Sequence, residues 1–542
     1  MKDILKKIPT RFYIFLSGLL LGFSIIFAEI GLLSYVALIP LALMIFKRTQ
    51  DGNYKLKKAY LDGFVFYMAF DVVAFYWLIY FYPTLVGENL GLSSTTALGV
   101  IALGWIGLSA LQSVFSALVF VIIAGASKTE MIKKHPVILA PVAAALFAIN
   151  EWTQTFTWAG VPWARIGISQ TEMPILMQSA SLFGSYFLTF VVVLFNFLLA
   201  RAIFLPERRR KYAIVAASVM IIHVILGTVL YFIPTVDSER SIKVASVQGN
   251  FEAVVSNEEK YAEYARLTKE AAFEGAELVI WPEGVFASDI HSGMKYNGTY
   301  RKISWVVSSL SSELGVTIVL GSFVDYEDKS NTSMSAFYAD GSSNINAYAK
   351  RRPVPFGEFL PLADLVNAVV PSLAEINMFS NVTPGEKSTY FYATGDEASI
   401  KVGTLICFDS IYETLGIDSA REGAEIFIVP SNDSWFADSR ALNMHHSQNV
   451  LRAVEQGKYT VSCGNTGISS IVNNKGEVIN DMPIYTAGYV IDTVYASSTR
   501  TLYSYIGNLF VYLCIAGVIG IFATDIVCKK KMQILICRDV SF

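Results

Sequence analysis

The chain has 542 residues, of which 53% are hydrophobic and only 16% charged, with a net charge of −3. Soluble domains carry about 25% charged residues, so the sequence cannot be globular throughout. Nucleic-acid binding, which leaves a basic footprint, is not indicated. Five cysteines are present and only Cys407 and Cys463 fall in the polar part, too few for a disulfide framework.

Taken in chain order, apolar stretches occupy roughly 11–29, 31–46, 60–82, 96–126, 136–155, 175–203 and 212–234, and an eighth runs over 503–527. Each approaches the roughly 20 residues that a membrane-spanning helix needs. The first is read as a retained helix, because no small-residue cleavage site and soluble stretch follow it. Asp71 falls inside the third, where an acid is expected to pair within the bundle. Trp158 and Trp163 also suit an aromatic belt at a membrane surface.

Basic residues orient these spans. Lys2, Lys6, Lys7 and Arg11 precede the first, and Lys47, Arg48, Lys55, Lys57 and Lys58 follow the second. Lys128, Lys133 and Lys134 follow the fourth, Arg208 to Lys211 follow the sixth, and Lys529 to Lys531 follow the last. The alternate loops are nearly bare: 83–95 holds no Lys or Arg, and 156–174 holds only Arg165. Positively charged loops stay in the cytoplasm, so seven crossings put the polar segment on the extracytoplasmic side. The organisation expected is a seven-helix bundle over 1–237, a globular domain over 238–500, and a final helix with a short cytoplasmic tail over 501–542.

Within 238–500, short β-rich runs (Ile242 to Val247, Leu278 to Trp281, Val316 to Leu320, Val402 to Ile406, Ile426 to Val429, Ile468 to Val472) alternate with helical patterns such as Asn257 to Glu274 and Met444 to Gln456. This alternation predicts a layered α/β domain. Runs that are apolar throughout predict a sheet covered on both faces. Three strand ends carry reactive residues: Glu283 in ELVIWPEG, Lys350 in INAYAKRRPVPFGEF and Cys407 in VGTLICFDS. Strand ends opening into loops are where α/β folds place their chemistry.

These three motifs resemble the Glu–Lys–Cys triad of the nitrilase superfamily. With VQGN at 247–250, VPFGEFLPL at 354–362, SNDSWFADS at 431–439, NTGISSIV at 465–472 and the membrane-loop segment GVPWARIGISQ at 160–170, nearly the whole chain resembles the bacterial apolipoprotein N-acyltransferases. Phe408-Asp409 stands where that family usually has Tyr-Glu, and residues 251–260 lack the tryptophan often found after VQGN.

The resemblance implies an αββα nitrilase-like sandwich on a helical membrane base of about eight helices. It implies an enzyme of the bacterial cytoplasmic membrane that needs no cofactor or metal. Cys407 would be the nucleophile, Glu283 the general base and Lys350 the stabiliser of the oxyanion, with Glu358 supporting and Phe408, Asp409, Trp435 and Phe436 near the substrates. A phospholipid would donate an acyl chain to Cys407 as a thioester, and the α-amino group of a diacylglyceryl-cysteine lipoprotein would accept it. Membrane lipids would be the surroundings, with no nucleic acid and a monomeric protein. The alternatives are a membrane-anchored amidase that hydrolyses the thioester, or a non-catalytic partner of a membrane glycosyltransferase.

Cys463, mid-strand in YTVSCGN, reads as core, since free cysteine is among the most buried residue types. A Cys407–Cys463 disulfide would abolish the chemistry. His445 and His446 point to different faces of a helix and lack the HExxH pattern, so neither reads as a metal ligand or as the partner of a Cys–His dyad. The topology is checked by reporter fusions and cysteine labelling. Loops 47–58, 128–134 and 208–211 are expected in the cytoplasm, and a reporter at residue 300 is expected to be active only outside it.

Overall fold

A computed structural model describes residues 9–52, 54–81, 93–251, 255–326, 329–364, 368, 382–394 and 399–539. The chain divides into two compact units. One holds residues 1–78, 102–232 and 506–542, and the other holds 79–101 and 233–505.

The first unit is helical: α1 (Thr10–Ile26), α2 (Ile39–Gln50), α3 (Leu56–Ala74), α4 (Ser94–Ser116), α5 (Leu118–Ala126), α6 (Leu139–Thr153), α7 (Ser185–Phe204), α8 (Arg209–Phe232) and a last helix over Leu509–Asp539. Among the described residues all eight apolar stretches of the sequence are mainly helical, although only six segments there are long and apolar enough to cross a membrane. The shortfall has physical causes. Helix α1 has only 17 residues, and α3 carries Lys57, Lys58, Asp62 and Asp71. Residues 83–92 of the bare loop lie outside the described residues.

Helices α1 and α3 pack through Gly18 and Gly22, four residues apart on one face. A Cβ at Gly18 would strike Phe66 O and come within 2.9 Å of Ala69 Cβ, so small residues there let two backbones approach closely. Asp71 is paired inside the bundle, where Ser113 Oγ donates to its Oδ2 at 3.0 Å. Segment 160–170 is not a surface belt. Trp163 is buried against Trp77, with ring centroids 4.9 Å apart. Glu151 holds the segment in place, accepting from Ile166 N at 2.8 Å and Thr189 Oγ1 at 2.7 Å. An aromatic belt would leave such a ring at the interface, whereas here the loop turns inward to satisfy a buried carboxylate.

The second unit contains two sheets. The first orders its strands β15 (Gly488–Tyr495), β1 (Ser241–Gln248), β2 (Leu278–Ile280), β6 (Thr317–Tyr326), β7 (Lys329–Phe337), β8 (Ser343–Ala349), with β3 (Phe286–Asp289) paired to β6. The second orders β14 (Val478–Asp481), β13 (Ser470–Val472), β12 (Thr460–Gly464), β11 (Ile426–Ser431), β10 (Ser399–Thr404), β9 (Tyr390–Thr394). A small hairpin joins β4 (Gly293–Tyr296) and β5 (Thr299–Lys302). The central pairs β1–β2, β2–β6, β10–β11 and β11–β12 are parallel and the flanking pairs antiparallel.

Side-chain alternation explains the layers. Ile242, Val244, Leu278 and Ile280 point toward Val402, Ile426, Ile428 and Val461 of the other sheet. Their neighbours Ala245, Val247, Val279 and Trp281 point outward to α9 (Asn257–Phe273) and α10 (Ile303–Leu314). Helices α11 (Glu413–Arg421) and α12 (Ala441–Gln456) cover the second sheet. Strands buried on both faces must be apolar throughout, which is the pattern in the sequence. The result is an αββα sandwich. Helix α9 begins with a capping box, in which Ser256 and Glu259 satisfy each other's backbone N–H.

One glycine sets the geometry at the end of β2. Gly321 donates to Pro282 O at 3.1 Å, and a Cβ there would lie 2.7 Å from both Glu283 Cα and Pro282 O. Gly321→Ala is therefore expected to push the Pro282–Glu283 turn off its seat. It should cost about 1–3 kcal/mol in thermal unfolding, as overpacking does, together with a larger loss of activity.

Candidate active site at the strand ends

Each reactive side chain sits one to three residues past a strand whose last pair anchors it. Beyond β2, Trp281 N donates to Val319 O at 2.8 Å, and its indole N–H donates to Thr268 Oγ1 at 3.0 Å. The Trp281 ring stacks on Tyr264 at 5.0 Å, so Trp281 is core and Pro282 turns the chain to present Glu283. Beyond β8, Lys350 donates its N–H to Thr332 O at 2.8 Å and accepts from Gly385 N at 2.7 Å. Beyond β10, Leu405 N donates to Ile428 O at 3.0 Å, after which Cys407 takes a left-handed turn with φ of 48°.

The structure brings Glu283, Lys350, Glu358 and Cys407 together. Lys350 Nζ, only 1% exposed, lies 2.8 Å from Glu283 Oε1 and 2.6 Å from Glu358 Oε1. The second oxygen of each carboxylate is also held, Glu283 Oε2 by Asn432 N at 3.3 Å and Glu358 Oε2 by Val354 N at 2.7 Å. The partly exposed Cys407 lies close enough to Glu283 and Lys350 for both charges to act on its thiol.

Burial raises the Glu283 carboxyl above its ordinary range. Lys350 opposes this and Glu358 adds to it. Burial by itself would lower the Lys350 ammonium, but Glu283 and Glu358 outweigh it and hold Lys350 charged. Burial, then the Glu283 charge, hold the Cys407 thiol well above its usual value despite Lys350. The resting group is thus a neutral thiol beside a carboxylate of raised basicity and a fixed ammonium. That arrangement can move a proton from sulfur to Glu283 as sulfur attacks, and can face an oxyanion with a cation.

The remaining expected residues separate. Asp409 is fully buried, and its carboxylate is taken up by the protein's own donors. It accepts from Tyr348 Oη at 2.8 Å, Arg352 N at 2.7 Å, Arg351 N at 3.2 Å and Ile406 N at 3.3 Å. It is a brace tying the turn after Lys350 to the turn around Cys407. Phe408 is also buried, edge-on to Tyr412 at 5.7 Å. Trp435 is 46% exposed, and Phe436 lies edge-on to His445 at 6.3 Å. Cys463 is buried in the core, its thiol facing Ile280 O at 3.2 Å, and burial pushes it up to about 12. Neither it nor Cys407 is in a disulfide.

His445 and Asp433 are neighbours of the thiol that the sequence reading passed over. The Sγ of Cys407, a carboxylate oxygen of Asp433 and a ring nitrogen of His445 all lie within 4.8 Å of one another. Asp433 sits inside the quoted SNDSWF segment two residues past β11, the same placement as the other site residues, which is the signal that could have found it.

Residues 17–198 match the apolipoprotein N-acyltransferase N-terminal domain, and residues 243–503 match the carbon-nitrogen hydrolase family. The two matches make the chain similar, along most of its length, to the apolipoprotein N-acyltransferases. It is 28% identical to the apolipoprotein N-acyltransferase of Geobacter metallireducens over 527 residues, covering 94% of both chains. It is 26% identical to that of Thermotoga maritima, covering 94% of this chain and 92% of the relative. Among solved structures, Saccharomyces cerevisiae Nit3, a member of branch 10 of the nitrilase superfamily, covers 50% of this chain and 96% of its own length at 18% identity, with a TM-score of 0.35.

The Asp409 brace yields a test. Asp409→Ala leaves the Tyr348 hydroxyl and the Ile406, Arg351 and Arg352 N–H groups without their acceptor. It is expected to lower stability by about 2–4 kcal/mol, given about 1–3 kcal/mol per orphaned group and partial relaxation. Thermal unfolding in detergent measures this loss, and Asp409→Glu should recover part of it.

Proposed function

We propose that this protein transfers an acyl chain from a phospholipid, through a thioester on Cys407, to the α-amino group of the N-terminal diacylglyceryl-cysteine of lipoproteins. The observation that carries the reading is the buried Lys350 ammonium held between Glu283 and Glu358 with the Cys407 thiol beside the Glu283 carboxylate. It occurs in a chain whose other half is apolar helices. The names of relatives that match over 94% of the chain favour transfer over simple hydrolysis or a purely structural role.

Glu283 takes the thiol proton as sulfur attacks the ester carbonyl of the phospholipid. The tetrahedral oxyanion faces the Lys350 ammonium. On collapse the C–O bond breaks, and the departing glycerol oxygen takes the proton from Glu283 to leave a lysophospholipid. The acceptor amine then attacks the thioester, giving its proton to Glu283. The thiolate departs and recovers that proton, which restores the resting enzyme. Glu358 is a positioning residue that holds Lys350 from its other side. Acylation through a covalent intermediate replaces one difficult step with two easier ones. The basic loops support an extracytoplasmic site on the bacterial inner membrane, with the enzyme acting as a monomer.

Single-turnover acylation with labelled phosphatidylethanolamine, chased with a diacylglyceryl peptide, tests this reading. Label is expected on Cys407 and then on the peptide amine. Label released only as free fatty acid would favour the hydrolase. Acylation should rise with pH through the raised Glu283 value, because below it the carboxyl is protonated and cannot accept the thiol proton. Glu283→Gln and Cys407→Ser should largely lose turnover, and Lys350→Arg should not restore it, since a planar guanidinium cannot replace a compact ammonium between two carboxylates. Cys463→Ala should keep most activity.

A further inference from the structure

The Cys407 backbone is in a conformation that ordinary residues avoid. Its φ of 48° is left-handed, where a Cβ crowds the following carbonyl oxygen. Such strain persists only where the surroundings over-determine it. The restraint is visible on the carbonyl of the same residue. His445 Nε2 lies 3.1 Å from Cys407 O and 3.1 Å from Ser410 Oγ, while His445 Nδ1 lies 3.0 Å from Asp433 Oδ1. His445 and Asp433 are 2% and 5% exposed.

A carboxylate only accepts hydrogen bonds, so Nδ1 donates to Asp433, while Nε2 stands between the Cys407 carbonyl, which only accepts, and the Ser410 hydroxyl, which can donate or accept. With Nε2 donating to the Cys407 carbonyl, His445 is an imidazolium that bridges the Asp433 carboxylate to the nucleophile's own backbone. Burial lowers the His445 imidazolium, but Asp433, the Cys407 carbonyl and Glu283 outweigh it and raise it above its ordinary value, and Phe436 lies edge-on to the ring. His446 on the same helix turns away to Ser470 Oγ at 2.7 Å. Nδ1 is turned to Asp433 and Nε2 to the Cys407 carbonyl and Ser410, so neither nitrogen is left for the thiol proton. This is not a Cys–His dyad.

We propose that His445 and Asp433 are positioning residues for the reaction at Cys407: a buried imidazolium–carboxylate pair that grips the Cys407 carbonyl and fixes the left-handed turn from which the thiol faces Glu283 and Lys350. The proposal rests on Cys407 being the acyl carrier. Its value to the reaction is geometric, since misplacing a reacting group by about 1 Å can cost roughly 100-fold in rate.

The test uses full-length enzyme in detergent and the labelled phosphatidylethanolamine acylation, with thermal unfolding run in parallel. His445→Ala is expected to slow acyl-enzyme formation about 100-fold, with KM for phospholipid within about twofold of wild type. His445→Gln, whose amide can still donate to the Cys407 carbonyl, should recover at least about tenfold of that loss. Asp433→Asn, which keeps its size but removes the charge that holds the imidazolium, should fall between wild type and His445→Ala. It decides the matter if His445→Ala does not fold. Acylation at the wild-type rate in the folded His445 and Asp433 variants overturns the inference. So does a loss confined to KM, or a His445→Gln variant no better than His445→Ala. Label absent from Cys407 in the wild-type enzyme overturns instead the function on which the inference rests.

Discussion

The second unit is organised around one buried cation. Removing an ammonium from water costs several kcal/mol even after relaxation, so it must be surrounded by compensating charge with its partners fixed. Lys350 meets that demand with two carboxylates at 2.8 and 2.6 Å, each tied to a backbone N–H through its other oxygen. The demand propagates outward. Glu283 must end β2 at one angle, so Gly321 has no room for a Cβ. The turn after Lys350 must stay in register with the one around Cys407, so Asp409 ties them together.

The same cluster divides the electrostatic labour. A lone buried carboxylate, thiol or amine would each go neutral. Together, the ammonium stays charged, the thiol stays protonated, and the carboxylate between them is left more basic than an exposed one. The chemistry is therefore that of an assisted thiol, and the nucleophile forms as it reacts. A thiol held this way has little use for a resting thiolate, which would lie beside two carboxylates.

The helical unit faces the opposite problem. With no water to satisfy polar groups, each one inside must find a protein partner. Asp71 finds Ser113, Arg48 pairs with Asp62, and Glu151 draws the 160–170 segment inward through Ile166 N. Small residues bring α1 and α3 into contact where apolar side chains have no hydrophobic reason to associate.

Local pattern sufficed for much of this. Apolar length marked the long helices of the first unit, and strands apolar on both faces required a sheet covered twice, because burial leaves no room for polar residues on either side. Glu283, Lys350 and Cys407 were legible because each ends an apolar run in a motif of its own. Asp409 and His445 were not. Asp409 sits beside the nucleophile in sequence, yet its carboxylate is consumed by Tyr348, Arg351 and Arg352, about 60 residues away in the chain. His445 looked like half of an ordinary histidine pair on a helix, and only the packing of α12 places its ring on the Cys407 carbonyl. Residue order fixes which face a side chain takes on its own element. Which two elements meet, and so which carboxylate faces a substrate and which holds a turn, is decided by contacts between residues far apart in the chain.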